Sequence, residues 1–171
     1  LRASFMHSSL LKKHIGFLYS HGSLYKSCNG NLLYHGCIPM QEDGSFMKLS
    51  FNNMQLSGKS LMDFLNGRIR EAYYLSEDDP DKQDAVDLLW YLWCGKGSPL
   101  FGKDKMATFE SIFLDEPELK KENMNAYYRL SKDVTTVDRI LREFGLSTDH
   151  GHIINGHVPV KRLEGELPYK A

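Results

Sequence analysis

Two segments of the chain each end a short hydrophobic run with a histidine beside a glycine. The first segment spans 30–39 and contains His35, and the second spans 152–160 and contains His157. Each run is typical of a short buried strand, and the glycine lets the backbone turn sharply where the strand ends. Neutral imidazole is the commonest protein ligand for transition metals, so two imidazoles at converging strand ends can bind one ion. The two segments therefore predict a metal-dependent active site.

Two further polar residues in the second segment could support these ligands. His152 begins the predicted strand that leads to the turn of His157, and Asn155 directly precedes that Gly-His turn. A polar group that hydrogen-bonds a metal ligand fixes its orientation, which makes His152 a candidate for that supporting role. An ordinary exposed strand histidine is an equally good interpretation of His152. We expect the Asn155 amide to orient the turn that carries His157.

The cysteines favour a structural interpretation. Cys28, Cys37 and Cys94 are odd in number and widely spaced, which suits a reduced cytoplasmic setting better than a disulfide framework. Cys37 lies two residues after His35, but no neighbour in sequence supplies a positive charge that would lower the pKa of its thiol. We interpret Cys37, and Cys94 likewise, as packing residues.

The elements that must position the histidines follow from hydrophobic periodicity and from turn residues. Helices are predicted over 8–20, 60–75, 82–94 and 134–144, and strands over 24–28, 31–34 and 152–155. Asn29-Gly30 predicts a hairpin between the first two strands, and a second hairpin is predicted about Asn52-Asn53. Helices interspersed with short strands predict an α+β fold.

Two other stretches receive an interpretation from composition alone. Trp90 and Trp93 stand three residues apart on the predicted 82–94 helix, and we interpret them as core residues. The stretch 115–125 is polar and charged and contains a proline, which predicts a surface segment with few core contacts.

Bulk composition limits the classes of function. The chain has 171 residues and 42% hydrophobic residues, enough for one domain with a core. Its formal charge of -1 argues against nonspecific binding to nucleic acid or to anionic membranes, because both require a positive excess. No apolar run approaches the length of a bilayer span, and the N-terminal residues do not resemble a secretory signal. We expect neither nucleic acid nor membrane as a partner.

Three long strings give the sequence a resemblance to a known family. NGNLLYHGCIPM, DLLWYLWCGKGSPLFGKDKM and HGHIINGHVPVK, in this order, closely resemble the Firmicutes-type (class III) fructose-1,6-bisphosphatases, members of the calcineurin-like metallophosphoesterases. The resemblance runs from about Leu10 to Ala171 and covers only part of the several-fold longer family protein. The chain starts at Leu1 and stops soon after the second histidine segment, so we interpret it as part of a longer enzyme.

The resemblance implies a fold, a reaction and a metal. The implied fold is part of a β-sandwich flanked by helices, with 1–171 forming one domain that holds a helical insertion at about 57–145. The implied reaction is hydrolysis of fructose 1,6-bisphosphate to fructose 6-phosphate and phosphate in gluconeogenesis, by water activated at a dinuclear manganese site. His35 and His157 match two ligand positions of one metal ion. The implied partner is a sugar bisphosphate, and a homo-oligomer remains open.

The distant eukaryotic-type phosphatases carry a similar Asp-Leu-Leu-Trp string before a loop with a phosphate-binding arginine. By this analogy Lys103 or Lys105 could contact a substrate phosphate, while a solvated lysine is the alternative for each.

Three motifs of the superfamily are absent from this sequence. They are an Asp-x-His segment, a Gly-Asp-x-x-Asp-Arg-Gly segment and a Gly-Asn-His segment followed by an acidic residue. They supply the other metal's ligands, the bridging aspartate and the general acid. We therefore expect no catalytic residue within this chain and negligible activity from the chain alone. The alternative is a noncatalytic folded module in which the histidines are structural.

Overall fold

A computed structural model describes residues 2–51 and 53–169. In this part of the chain, eight α-helices and five short strands follow one another in the order given below. They are α1 (Arg2–Met6), α2 (Ser9–His21), β1 (Tyr25–Cys28), β2 (Asn31–Tyr34), β3 (Leu49–Phe51), β4 (Met54–Leu56), α3 (Gly58–Tyr74), α4 (Lys82–Cys94), α5 (Thr108–Phe113), α6 (Pro117–Lys120), α7 (Tyr127–Leu130), α8 (Val134–Glu143) and β5 (Ile153–Asn155). A 3₁₀ turn at Arg162–Glu164 follows β5. The mixed α+β class predicted from the sequence is confirmed.

The main sheet has the strand order β1-β2-β5. β1 and β2 form an antiparallel hairpin, and their connecting residues Asn29 and Gly30 have φ values of 51° and 76°. Two consecutive positive φ values define the tight hairpin turn that this residue pair favours, so the first predicted hairpin is confirmed. β5 runs parallel to β2, with Tyr34 opposite Asn155. The carboxyl ends of β2 and β5 therefore lie side by side.

A separate two-stranded sheet follows. β3 and β4 pair antiparallel, with Leu49 opposite Leu56. Asn53 in their connection has a φ of 67°, a left-handed conformation that asparagine tolerates better than most residues. This matches the predicted second hairpin, although Asn52 lies outside the described residues.

The core lies between the inner face of the main sheet and the helices. Leu32 and Tyr34 project from β2 into it, because alternate residues of a strand face opposite sides. Helix α3 contributes its apolar stripe, and α4 and α8 pack against α3. The fully buried side chains of this core include Leu32, Leu61, Leu65, Leu92, Tyr127 and Ile140. The long connection between β2 and β5 thus covers the sheet from which it departs.

The prediction that Trp90 and Trp93 belong to the core is wrong. Helix α4 buries Ala85 and Leu92, whereas the two tryptophans are 66% and 57% exposed and lie with ring centroids 5.0 Å apart. The sequence pattern fails here because nearly every residue over 88–94 is apolar, so periodicity does not identify the buried face. Cys94, next along the helix, is only partly buried.

The segment 115–125 lies at the surface, as its composition predicts. It contains the short helix α6, and its apolar residues Leu119 and Met124 are 45% and 42% exposed. Polar contacts hold it in place, chiefly an ion pair between Glu122 and Lys103 at 2.5 Å.

Among the described residues, no helix is both long enough and apolar enough to cross a membrane.

Candidate metal centre

The parallel pairing of β2 and β5 brings His35 and His157 together. His35 directly follows β2, and His157 lies two residues after β5. Nε2 of His35 and Nδ1 of His157 are 3.2 Å apart, and the two rings meet edge to face with centroids 5.1 Å apart. The backbone N–H of Gly156 donates to the carbonyl of His35 at 3.0 Å, which ties the two turns directly.

His157 has an unusual backbone conformation. Its φ is 62°, in the left-handed region that residues with a side chain rarely adopt. Such strain persists only where the surrounding structure fixes it, and it is concentrated at functional sites. Here the conformation directs the imidazole of His157 back toward His35.

The surroundings of His157 favour its neutral form. Partial burial lowers the pKa of its imidazole, and the nearby His35 and Lys103 lower that pKa further, while the Phe101 carbonyl acts in the opposite direction. The ring of Tyr128 stacks against His157 with centroids 6.2 Å apart. Because a metal binds the unprotonated imidazole, this environment suits a ligand.

The turn that carries His35 is held from a second side. A side chain at Gly36 would collide with the carbonyl of Pro99, so the backbone there fits only glycine. The N–H of Cys37 donates to the same carbonyl at 2.8 Å. Cys37 is 1% exposed, and burial raises the pKa of its thiol to about 12. The interpretation of Cys37 as a packing residue agrees with this burial.

Asn155 lies close to the pair, but its amide does not orient the turn of His157 as expected. Its Nδ2 donates to the Gly36 carbonyl at 3.3 Å and to the Tyr127 hydroxyl at 3.1 Å. The amide therefore reaches across to the turn that carries His35.

The structure does not bring His152 to the pair. Its N–H donates to Oδ1 of Asn31 at 3.1 Å, and its ring Nδ1 lies 3.2 Å from the same oxygen. Asn31 begins β2, whereas His35 follows the end of that strand. His152 therefore occupies the opposite end of the sheet.

The two lysines have different surroundings. Lys103 lines an open cleft of about 510 Å³ together with Met40, Asp43 and Lys96, and it is near enough to His157 to lower the pKa of that imidazole. Its ammonium pairs with Glu122. Lys105 instead donates to the carbonyl of Leu119 at 2.7 Å. Of the two lysines, Lys103 is the one whose charge acts on His157, although neither histidine lines its cleft.

The spacing of the two imidazole nitrogens fits ligation of one ion. Two nitrogens about 2.1 Å from an ion lie ~3.0 Å apart at a right angle and ~3.4 Å apart at a tetrahedral angle. The observed 3.2 Å falls between these values. Within the described residues, no group of three His, Cys, Asp or Glu side chains could hold an ion, so this pair would supply two ligands of a larger set.

Known proteins of one family resemble this chain along its whole length. The family model described as Firmicute fructose-1,6-bisphosphatase matches residues 1–171. The chain belongs to this family. A relative from Clostridium botulinum named fructose-1,6-bisphosphatase class 3 is 52% identical over 171 residues, which is 100% of this chain. A relative of the same name from Finegoldia magna is 49% identical over 168 residues, which is 98% of this chain.

The chain spans only 26% of the length of these two fructose-1,6-bisphosphatase relatives. No solved structure matches it.

Several residues around the pair escaped sequence reasoning. Each of these residues contacts a histidine of the pair or a residue near one of them. They are Tyr34, Tyr127, Tyr128 and Pro99. Tyr127 and Tyr128 lie in a four-residue helix, which is too short for a periodic pattern. The two-residue period of the predicted strand places Tyr34 on the same face as Leu32, but nothing in the sequence links Tyr34 to Tyr127.

Proposed function

We propose that the chain is part of a fructose-1,6-bisphosphatase, which hydrolyses fructose 1,6-bisphosphate to fructose 6-phosphate and phosphate. The observation that carries the proposal is the 3.2 Å spacing of His35 and His157 in a chain of this family. The names of the relatives support the substrate, and gluconeogenesis in the cytoplasm is the setting that such an enzyme would serve.

His35 and His157 are the residues that would hold the metal. In this role Nε2 of His35 and Nδ1 of His157 present lone pairs to one ion, for which we propose Mn²⁺ in a dinuclear site. A divalent ion lowers the pKa of a bound water and neutralises phosphate oxygens. The remaining ligands and the general acid would come from parts of the enzyme outside these 171 residues.

Lys103 is the residue that we propose contacts the substrate. It lines the 510 Å³ cleft, and its charge lowers the pKa of His157, which supports an ammonium within electrostatic reach of a phosphate held at the metal. Its partner Glu122 would have to share this ammonium, since Nζ and Oε2 are 2.5 Å apart. Lys105 is a weaker candidate because its ammonium already donates to a backbone carbonyl.

The fold supports a wider proposal about the parent enzyme. The sheet β1-β2-β5 would belong to a metallophosphoesterase sandwich, and 1–171 would form the later portion of its catalytic domain. The helices between β4 and β5 would form an insertion at about 57–145. In support, the parallel neighbours β2 and β5 are joined by a long, mainly helical connection.

A metal titration of the chain tests the site directly. We expect Zn²⁺, used as the probe because imidazole binds it more tightly than Mn²⁺, to shift the imidazole NMR signals of His35 and His157 together. His157→Ala should weaken this binding at least tenfold. His152→Ala is the matched control, since it removes a histidine from the same segment at the other end of the sheet. Equal weakening by both variants would contradict the proposed site.

The chain alone should hydrolyse fructose 1,6-bisphosphate at a negligible rate, even with excess Mn²⁺. The reason is that it lacks the bridging aspartate and the general acid of the superfamily. A phosphate-release assay on the purified chain measures this. Turnover at an ordinary enzymatic rate that disappears in His157→Ala would show that the chain holds a complete site. If zinc binding left the imidazole NMR signals of both His35 and His157 unchanged, the alternative of a noncatalytic module with structural histidines would be favoured instead.

A further inference from the structure

The hydroxyl of Tyr127 connects the helical part of the chain to the two strands that carry the histidines. Tyr127 belongs to α7 and is 2% exposed. Its hydroxyl oxygen lies 2.7 Å from that of Tyr34 and accepts a hydrogen bond from Asn155 at 3.1 Å. Tyr34 is the last residue of β2, and Asn155 is the last residue of β5. One buried hydroxyl thus contacts the final residue of both strands.

The amide of Asn155 extends this connection to the turn of His35. An amide nitrogen has two hydrogens, and here one faces the Tyr127 hydroxyl while the other faces the Gly36 carbonyl at 3.3 Å. Gly36 directly follows His35. The amide therefore links β5 to the turn that carries His35.

We propose that Tyr127 is a positioning residue for metal binding, which fixes the spacing of His35 and His157 through its hydrogen bond from Asn155. The inference rests on the proposed metal site. Two ligands must be held within about 0.5 Å of their productive positions, and bonds made by the residues behind them provide that restraint. Tyr127 provides this restraint from α7, so the helical region of the chain helps to position the two histidines.

The test removes one hydroxyl at a time from the full 171-residue chain. In Tyr127→Phe, Asn155 loses its anchor, and we expect Zn²⁺ affinity to fall about tenfold or more. Tyr34→Phe is the matched control, because it also removes one hydroxyl of the buried pair but leaves the bond between Tyr127 and Asn155. Its Zn²⁺ affinity should stay within about twofold of the wild type, although both variants leave one buried hydroxyl without its tyrosine partner.

The double variant separates positioning from stability. Tyr34→Phe with Tyr127→Phe leaves neither tyrosine hydroxyl unpaired, so it should fold at least as well as Tyr127→Phe alone. Positioning predicts that its Zn²⁺ affinity stays as low as that of Tyr127→Phe. A purely structural role predicts that affinity follows the melting temperature across the three variants, and that result would overturn the proposal. Wild-type affinity in Tyr127→Phe would also overturn it.

A metal-free measurement keeps the inference separate from the proposed function. The imidazole ¹H–¹⁵N NMR signals of His35 and His157 report the contact between the rings without any ion. We expect Tyr127→Phe to shift both signals and to weaken the NOE between the rings, while Tyr34→Phe changes neither. If the wild type bound no zinc but these shifts appeared, the metal proposal would fail and the positioning of the rings would stand. Unchanged ring signals in Tyr127→Phe would overturn the positioning itself.

Discussion

His157 holds a backbone conformation that costs free energy for any residue with a β-carbon. Its φ of 62° places the Cβ close to the following carbonyl, at a cost of roughly 1–2 kcal/mol. Asn29 and Asn53 also have positive φ, but they lie in hairpin turns where asparagine is common. A histidine at such a position requires another reason to be there, and its contact with His35 provides one.

Replacing His157 by glycine and by alanine separates the energetic cost of the strained backbone from the effect of removing the imidazole. Both variants remove the imidazole, but only glycine relieves the left-handed backbone. We expect His157→Gly to have a free energy of unfolding about 1 kcal/mol higher than His157→Ala. Urea denaturation of the two variants measures the difference. An alanine variant as stable as the glycine variant would mean that the turn relaxes to an ordinary φ.

The metal-free chain should become less stable as the solution turns acidic. Burial and the nearby charges lower the pKa of His157 in the folded state, so the unfolded chain takes up a proton at a higher pH than the folded chain does. Stability from this residue is therefore complete above about pH 6.5 and falls as the pH decreases below that value. Urea denaturation between about pH 7 and 5 should show a steeper decline in the wild type than in His157→Gly. Identical slopes would exclude His157 as the source.

Part of the site could be predicted from residue types alone. A histidine beside a glycine after an apolar run marked His35 and His157 as candidates, because strand ends and turns leave a local signal, and the family resemblance then favoured this pair. The parallel register that joins them left none, and the sequence alone could not decide whether His152 or His157 would face His35. That choice depends on the pairing of Leu32 with Ile153, a contact between distant parts of the chain.

Among the elements, the loop before α5 reaches the carboxyl end of β2 at one very close contact. The carbonyl of Pro99 occupies the space that a side chain at Gly36 would need, and it accepts a hydrogen bond from Cys37. This contact leaves the turn of His35 no room to widen.

A pair of glycine substitutions tests how tightly these elements fit. Gly36→Ala should lower the free energy of unfolding by about 1–3 kcal/mol, because the new methyl group collides with backbone that cannot move aside. Gly67→Ala is the control, since Gly67 is exposed within α3 and nothing lies near its added methyl group. There we expect a gain of about 1 kcal/mol from helix propensity. Thermal or urea unfolding measures the stability of both variants. If Gly36→Ala left the free energy of unfolding unchanged, the loop that contains Pro99 would have moved to make room for the methyl group.

The helices show where sequence reasoning succeeds at the level of elements. Helix α3 alternates apolar and polar residues at helical spacing, so both its existence and its buried face were predictable. Helix α4 was predicted with its observed bounds, but its apolar residues surround it on every side. Burial there depends on what packs against the helix, which the local pattern does not contain.

At the scale of the whole molecule, several large apolar side chains lie on the surface. They include Trp90, Trp93, Phe109, Ile112 and Phe113. Trp90 and Trp93 lie together, with ring centroids 5.0 Å apart, and a contiguous apolar surface is one that another protein, a ligand or a membrane can bind. The chain spans 26% of its relatives' length, and whether a longer protein covers these side chains is open to measurement.

Tryptophan fluorescence can test this exposure, because Trp90 and Trp93 are the two tryptophans of the chain. In the 171-residue chain, acrylamide should quench the emission almost as strongly before unfolding as after it. In a parent enzyme that covers α4, acrylamide should quench the same two tryptophans more weakly. This measurement requires that any further tryptophans of the parent enzyme are first replaced. Strong protection in the 171-residue chain would mean that copies of it associate through this helix.

The pairing of β2 with β5 also affects how the family can change over time. His35 and His157 are separated by 122 positions in sequence, and the pairing of β2 with β5 brings them together. Closing a flexible loop costs only about 0.6 kcal/mol more each time its length doubles. Insertions and deletions at exposed points of the connection should therefore change the free energy of bringing the two histidines together very little, provided that α7 keeps Tyr127 in place. Surface loops of this connection can therefore change in length while its buried helices keep the two strand ends together.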